Sequence, residues 1–269
     1  MKADRGAEAI RIAFERAAIE HRAALIPYVA LGHPTPERSI ALAEAAIDGG
    51  ADLLELGIPF SDPLADGPVI QRATQRALAA GTTVRVCLDL ARRIREAHPE
   101  TPLLFMGYLN PILAFGERAF CAACRDAGVD GLIVPDLPPD EGGALEILGE
   151  EHGLALVYLA APNTPDARLR IVCSRSTGYV YLVSLTGTTG PRERLPAELP
   201  RAVERVRAMT DKPVAVGFGI GSPAQAGRVA AVADGVIIGS AVVDRCDRED
   251  GPEAVRRFVS ELREAMARR

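Results

Sequence analysis

Two carboxylates within one short segment are the residues best placed to do chemistry. In LELGIPFSDPLADGP, residues 54–68, Glu55 interrupts an apolar run, and Asp66 follows on a Pro- and Gly-punctuated loop that also carries Asp62. An ionised carboxylate taken into an apolar interior is strongly penalised unless it is paired or protonated. A buried acid at a strand end, with another acid on the loop beyond, is the layout of acid–base catalysis. The plain alternative is a carboxylate satisfied by neighbouring backbone donors.

A phosphate site is the other chemical signal. Glycine clusters follow each of the last three strand candidates: Gly187-Thr188-Thr189-Gly190, then Gly217 to Ser222, then Gly239-Ser240. Glycine lets backbone N–H groups approach an anion closely, and a helix starting there adds partial positive charge. The middle cluster reads G-x-G-x-G, not the dinucleotide pattern G-x-G-x-x-G. Residues 239–245, GSAVVDR, are expected to form a short extra helix beside the phosphate.

Other chemistries find little support. The lysines are Lys2 and Lys212, and Lys212 precedes the seventh strand candidate, on the rim away from the chemistry, which argues against a Schiff-base mechanism. Three histidines, His21, His98 and His152, fall on expected helices, and His33 reads as a solvated loop residue, so no metal set forms. Cys121 and Cys124 make a lone C-x-x-C in a helical pattern, whose plain reading is helix packing. What remains is metal-free acid–base catalysis by carboxylates and tyrosine on a phosphorylated small molecule.

Such residues need a scaffold, and the hydrophobic pattern describes one. Strand-like runs at 25–30, 53–57, 103–108, 131–134, 155–159, 180–184, 213–217 and 235–238 alternate with helical stretches. The main helices are expected at 36–48, 84–97, 117–127, 141–152, 165–174, 197–209, 223–232 and 252–267. Thr35-Pro36, Thr164-Pro165 and Ser222-Pro223 each pair a hydroxyl N-cap with proline at the first helical position. Eight strands in strict alternation predict a parallel (β/α)8 TIM barrel, here one domain over residues 1–269. An open doubly wound sheet is the alternative, since a sequence does not show closure. An additional N-terminal amphipathic helix, roughly residues 7–21, carries Ile10, Phe14 and Ala17 on one face and should pack on the barrel. Period-two alternation turns Ile26, Tyr28 and Ala30 inward, as it does Leu104, Met106 and Tyr108, and Tyr179, Tyr181 and Val183. Glu55 then faces inward while Leu54 and Leu56 face the helices.

A net charge of −5 without a basic block argues against nucleic-acid binding. No apolar run approaches membrane-spanning length and no secretory pattern is present, so the cytoplasm is the expected compartment, with the cysteines reduced.

The segments now in view resemble one family. LELGIPFSDPLADGP is joined by LIPYVALGHPTPE (25–37), MGYLNP (106–111), VPDLP (134–138), GYVYLVSLTGTTG (178–190), GFGIGSP (217–223) and IIGSAVV (237–243). In that order, over about 7–265, they are similar to the tryptophan synthase α subunit family. The resemblance implies retro-aldol cleavage of indole-3-glycerol phosphate to indole and glyceraldehyde 3-phosphate. It also implies a β-subunit partner in an α2β2 heterotetramer, with pyridoxal phosphate in that partner and no cofactor in this chain. By the same resemblance Glu55 is the general acid/base toward indole C3, Asp66 accepts the indole N–H, and Tyr181 holds the catalytic geometry by hydrogen bonding. Gly190, Gly219, Gly239 and Ser240 would take the phosphate, and Thr189 sits on a loop that closes over the site. Tyr28, Ile133, Phe218 and Ile237 would offer an apolar slot for the ring, though each could equally be ordinary core, and Tyr108 is a further substrate-binding candidate. His33, Ala30 and Thr188 depart from the family's usual Asp, Thr and Val. Alternatives are a free-standing lyase that releases indole, another phosphate-binding barrel acting on a related sugar phosphate, and a purely regulatory partner of a β subunit.

Overall fold

The computed structural model describes residues 5–183, 197–217 and 219–267. The apolar runs form β1 (Ala24–Ala30), β2 (Leu54–Gly57), β3 (Leu103–Met106), β4 (Gly131–Ile133) and β5 (Ala155–Val157). They continue as β6 (Leu159–Ala160), β7 (Val180–Val183), β8 (Val214–Gly217) and β9 (Gly235–Ile238), all paired in parallel. Between and around them lie α1 (Ala7–Ile19), α2 (Pro36–Asp48), α3 (Pro68–Ala79), α4 (Val84–Ala97), α5 (Leu109–Phe115) and α6 (Glu117–Asp126). The later helices are α7 (Gly143–His152), α8 (Asp166–Arg175), α9 (Leu199–Arg207), α10 (Pro223–Ala230), α11 (Ser240–Cys246) and α12 (Gly251–Ala265). No helix among the described residues is long and apolar enough to cross a membrane.

Strand order decides between barrel and open sheet. The ladder runs β5-β4-β3-β2-β1-β9-β8-β7-β6. Its two ends are one extended segment, because only Tyr158 separates β5 from β6. Leu159 registers with Tyr181, and the Tyr181 N–H donates to the Tyr158 carbonyl at 3.2 Å. The ladder therefore comes back on itself as a (β/α)8 barrel whose fifth strand is split.

Alternation along the strands sorts apolar side chains into two layers. Leu25, Val29, Leu54, Leu56 and Phe105 belong to the layer between sheet and helices. Ile26, Tyr28, Leu104, Met106, Ile133, Tyr179, Tyr181 and Ile237 fill the interior. Helix α1 closes the N-terminal end of that interior. Its Ile10, Ala13, Phe14 and Ala17 are buried in the same cluster, and the Phe14 ring lies 5.6 Å from that of Tyr179. Gly235 is required there, since a Cβ on it would come within 2.8 Å of the Phe14 ring.

The same rim is held by a bonding pattern repeated around the barrel. Asp52, Asp130, Thr177 and Asp234 precede alternate strands. Each donates its N–H to the carbonyl of Leu25, Leu103, Leu156 or Val214, respectively, at 2.8–2.9 Å. Each side chain then accepts the N–H of that same residue, at 2.7–2.9 Å. An arginine joins three of the four clasps: Arg22 at Asp52, Arg95 at Asp130 and Arg207 at Asp234. Lys212 also belongs to this rim, donating to the Cys173 carbonyl at 2.8 Å.

Several local expectations change. Helices α3 and α5 lie outside the main helical stretches that the hydrophobic pattern predicts. The third strand ends at Met106, which leaves Tyr108 as the N-cap of α5. Thr35 and Ser222 cap their helices as expected, accepting from Arg38 and Gln225 N–H. Thr164 does not cap α8; its hydroxyl instead accepts from the Ala161 N–H at 2.8 Å. His21 lies beyond α1, with φ 55°. The extra helix forms as α11.

Candidate active site

At the C-terminal mouth of the barrel one cavity gathers residues from most of the circumference. Tyr28 from β1, Glu55 from β2, Met106 from β3, Tyr181 from β7 and Ile237 from β9 line it, with Asp66 and Ile70 from the β2–α3 connection and α3. Gly219, Ile220 and Gly221 after β8, and Gly239, Ser240 and Ala241 at the start of α11, complete the wall. Two strand-end glycines make room for two of the tyrosines. A Cβ on Gly57 would fall 1.9 Å from the Tyr28 hydroxyl, and one on Gly217 would fall 2.3 Å from that of Tyr181.

Glu55 is buried at 1% exposure and accepts a hydrogen bond from the Tyr179 hydroxyl at 3.1 Å. Burial pushes its carboxyl up to about 8, with the Tyr179 bond opposing the rise, so the acid keeps its proton at neutral pH. Asp66 is less deeply enclosed. Burial pushes it up to about 6, against the bond from the Tyr108 hydroxyl at 3.1 Å, and it is largely ionised at pH 7. The Tyr28, Tyr179 and Tyr181 phenols stand well above their usual range because they are buried, and all remain donors. One cavity thus offers a proton donor and an anionic acceptor under the same solvent conditions.

Of the site residues expected from the sequence, Glu55, Asp66, Tyr181, Tyr28, Gly219, Ile237, Gly239 and Ser240 lie together on this wall. Tyr108 stands behind it, bonded to Asp66. Ile133 sits in the interior cluster rather than on the wall. Thr189, Gly190 and Phe218 lie outside the described residues. Sequence reasoning missed Tyr179 as the partner of Glu55, although it had placed that tyrosine on the inward face; the shared face with Tyr181 was the available signal.

A family model described as tryptophan synthase alpha chain matches residues 14–268. The tryptophan synthase alpha chain of Gluconacetobacter diazotrophicus is 48% identical over 266 residues, covering 96% of this chain and 97% of its own length. That of Halorhodospira halophila is 49% identical over 249 residues, 91% of each chain. This chain belongs to the tryptophan synthase alpha chain family. A chain from the Mycobacterium tuberculosis tryptophan synthase structure superposes with a TM-score of 0.90 at 39% identity, covering 97% of this chain and 98% of that one.

The structure of His33 corrects the expectation of a solvated loop residue. Its side chain is 1% exposed, and Nε2 lies 3.3 Å from Oδ1 of Asp247, which Arg76 also contacts at 2.6 Å. Burial holds the His33 pKa below its ordinary value; Asp247 opposes this and Arg76 reinforces it. Arg76→Ala should therefore raise the His33 pKa, as followed by NMR titration of the ring. An unchanged or lower value would refute that account. Cys121 and Cys124 are buried on α6, where burial pushes the Cys121 thiol up to about 11 and Cys124 well above its usual range.

Proposed function

We infer that this chain is the lyase subunit that cleaves indole-3-glycerol phosphate to indole and glyceraldehyde 3-phosphate. Family membership supports the reading, and the observation that carries it is the buried Glu55 sharing a cavity with Asp66, where burial favours the protonated form of the glutamate. Indole leaves poorly as a carbanion, so C3 must take a proton before the carbon–carbon bond breaks. Glu55 supplies that proton. The resulting positive charge spreads to the ring nitrogen, where Asp66 accepts the N–H and stabilises it. Cleavage returns the bonding pair to the ring, while the carbinol hydroxyl loses its proton to the Glu55 carboxylate and becomes the aldehyde. Glu55 ends protonated, as it began.

Gly219, Gly239 and Ser240 open onto the same cavity and are assigned to the phosphate, together with Gly190. Tyr28 and Ile237 are assigned to the apolar slot for the ring, with Phe218, and Thr189 to the closing loop. Tyr181 is assigned to holding the reactive geometry. The partner is a β subunit that carries pyridoxal phosphate and joins indole to serine, in an α2β2 assembly in the cytoplasm.

The test is indole release from indole-3-glycerol phosphate by the purified chain, with and without a β subunit, across pH 5–9. Activity needs Asp66 ionised and Glu55 protonated. The rate constant kcat/KM should therefore rise with pH through about 6 and fall through about 8. A profile flat over that range would remove the assignment of the two carboxylates, and no indole under any condition would remove the lyase reading.

A further inference from the structure

We propose that Tyr108 is a positioning residue of this site, its hydroxyl tying loop residues Ala65 and Asp66 to the start of α5 and so aiming the Asp66 carboxylate into the cavity. The kinetic consequence rests on the lyase reading; the tie itself does not. The Tyr108 oxygen accepts the Ala65 N–H at 2.9 Å and donates to Asp66 Oδ2 at 3.1 Å. One phenol therefore holds two consecutive residues of a loop that has no regular secondary structure of its own. The phenol is itself well fixed. It is 6% exposed, its ring lies 5.3 Å from that of Phe60 on the same loop, and the next residue, Leu109, donates its N–H to Asp136 at 2.9 Å.

Charge and protonation fit the role. Burial raises the Tyr108 phenol far above neutral pH, so it remains a donor. Its bond opposes the burial that raises Asp66, favouring the ionised form. The other titratable groups around Asp66 are Tyr28 on β1 and Tyr181 on β7, both protonated, with Glu55 on β2 in the same cavity. Among the described residues, none of the groups perturbing Asp66 is a cation. Tyr108 is accordingly the group that favours the anion. With Oδ2 engaged, Oδ1 is the oxygen left to receive the ring N–H of the substrate.

The experiment is Tyr108→Phe, read in two ways. In protein labelled with 13C at the aspartate carboxyls, the Asp66 titration should move above about 6. In turnover, the acid limb of kcat/KM should move up with it while the alkaline limb stays near about 8. At pH 7, kcat/KM should fall about 10- to 100-fold, mostly in kcat, because the charge that Asp66 stabilises develops in the transition state. In an Asp66→Asn background the same change should add less than about threefold. Replacing Tyr108 by a ring-fluorinated tyrosine, a stronger donor of the same shape, should move the Asp66 titration down and serves if the Phe variant does not fold. An Asp66 titration unmoved by either replacement, or a fall in rate with the acid limb unmoved, overturns the proposal. A shifted titration in a protein whose parent releases no indole supports the tie and removes only the lyase reading.

Discussion

Replacing Glu55 by glutamine is expected to reduce indole formation by about 10²- to 10⁴-fold, the span typical of losing a general acid, with the fold intact. Glutamine keeps an acceptor for the Tyr179 hydroxyl and the volume of the side chain, so the loss isolates the transferable proton. A variant that turns over at the parent rate would take Glu55 out of the mechanism. The same substitution should change stability in a pH-dependent direction. Below the ordinary value of 4.5 the carboxyl is protonated in folded and unfolded chains alike, and burial carries no charge penalty. As pH rises toward about 8 the unfolded chain gains from ionisation while the barrel holds the proton, so stability contributed by this group is lost. Glu55→Gln lacks that loss. Its stability relative to the parent should therefore grow between pH 5 and pH 9, by on the order of 4 kcal/mol, in urea titrations at both pH values. A difference independent of pH would mean that the carboxyl is not held protonated. The largest change in activity and a gain in alkaline stability are thus expected from one atom-for-atom replacement.

Asp130→Ala should be the most damaging change to stability, with a loss of about 3–5 kcal/mol. Asp130 is fully buried and accepts from the N–H groups of Gly6 and Leu103 and from the Arg95 guanidinium. Truncation leaves a buried cation without its counter-ion and orphans two backbone donors. Arg95 cannot swing out to water, because it also donates to the carbonyls of Gly128, His98, Pro99 and Thr101. The urea midpoint measures the loss, and one below about 1 kcal/mol would show that the clasp is dispensable. Removing both charges, as Arg95→Met with Asp130→Asn, should cost less than Asp130→Ala alone, since no unpaired ion is left behind.

The contrast between Glu55, singled out by the sequence pattern, and Asp130, which that pattern left unmarked, has a physical reason. The barrel was legible because its strands are short, apolar and bounded by turn residues, and alternation correctly turned Tyr28, Glu55, Leu104 and Met106 inward. Helix α3 was hidden because it starts at Gly67-Pro68 without a side-chain cap, directly after the acid-bearing loop. Helix α5 is only seven residues long and carries Pro111 in its first turn, where proline is tolerated but obscures the pattern. Alternation gives a side chain's face and not its depth. Tyr179 and Tyr181 share a face, and only the stagger of the strands decides that Tyr179 meets Glu55, 124 residues away. The burial of His33 was equally beyond reach, since its neighbours Arg76 and Asp247 come from distant parts of the chain. The glycines after β8 and β9 open at the same end of the barrel as the acids. Gly219, Gly239 and Ser240 share a wall with the acids because they follow the strands that flank β1 on its other side.

The single-residue junction at Tyr158 has a bearing on how the protein behaves in a crowded solution. A sheet with a free margin offers a row of idle peptide groups on which another molecule can template, and evolution usually blunts such margins with charge, proline or a bulge. Here the terminal strands are two halves of one segment, and the margin they leave among the described strands is no longer than the three residues of β5 or the two of β6. Cross-β growth would have to wait for the cylinder to spring open, which ties resistance to fibril formation to the cooperativity of the native state.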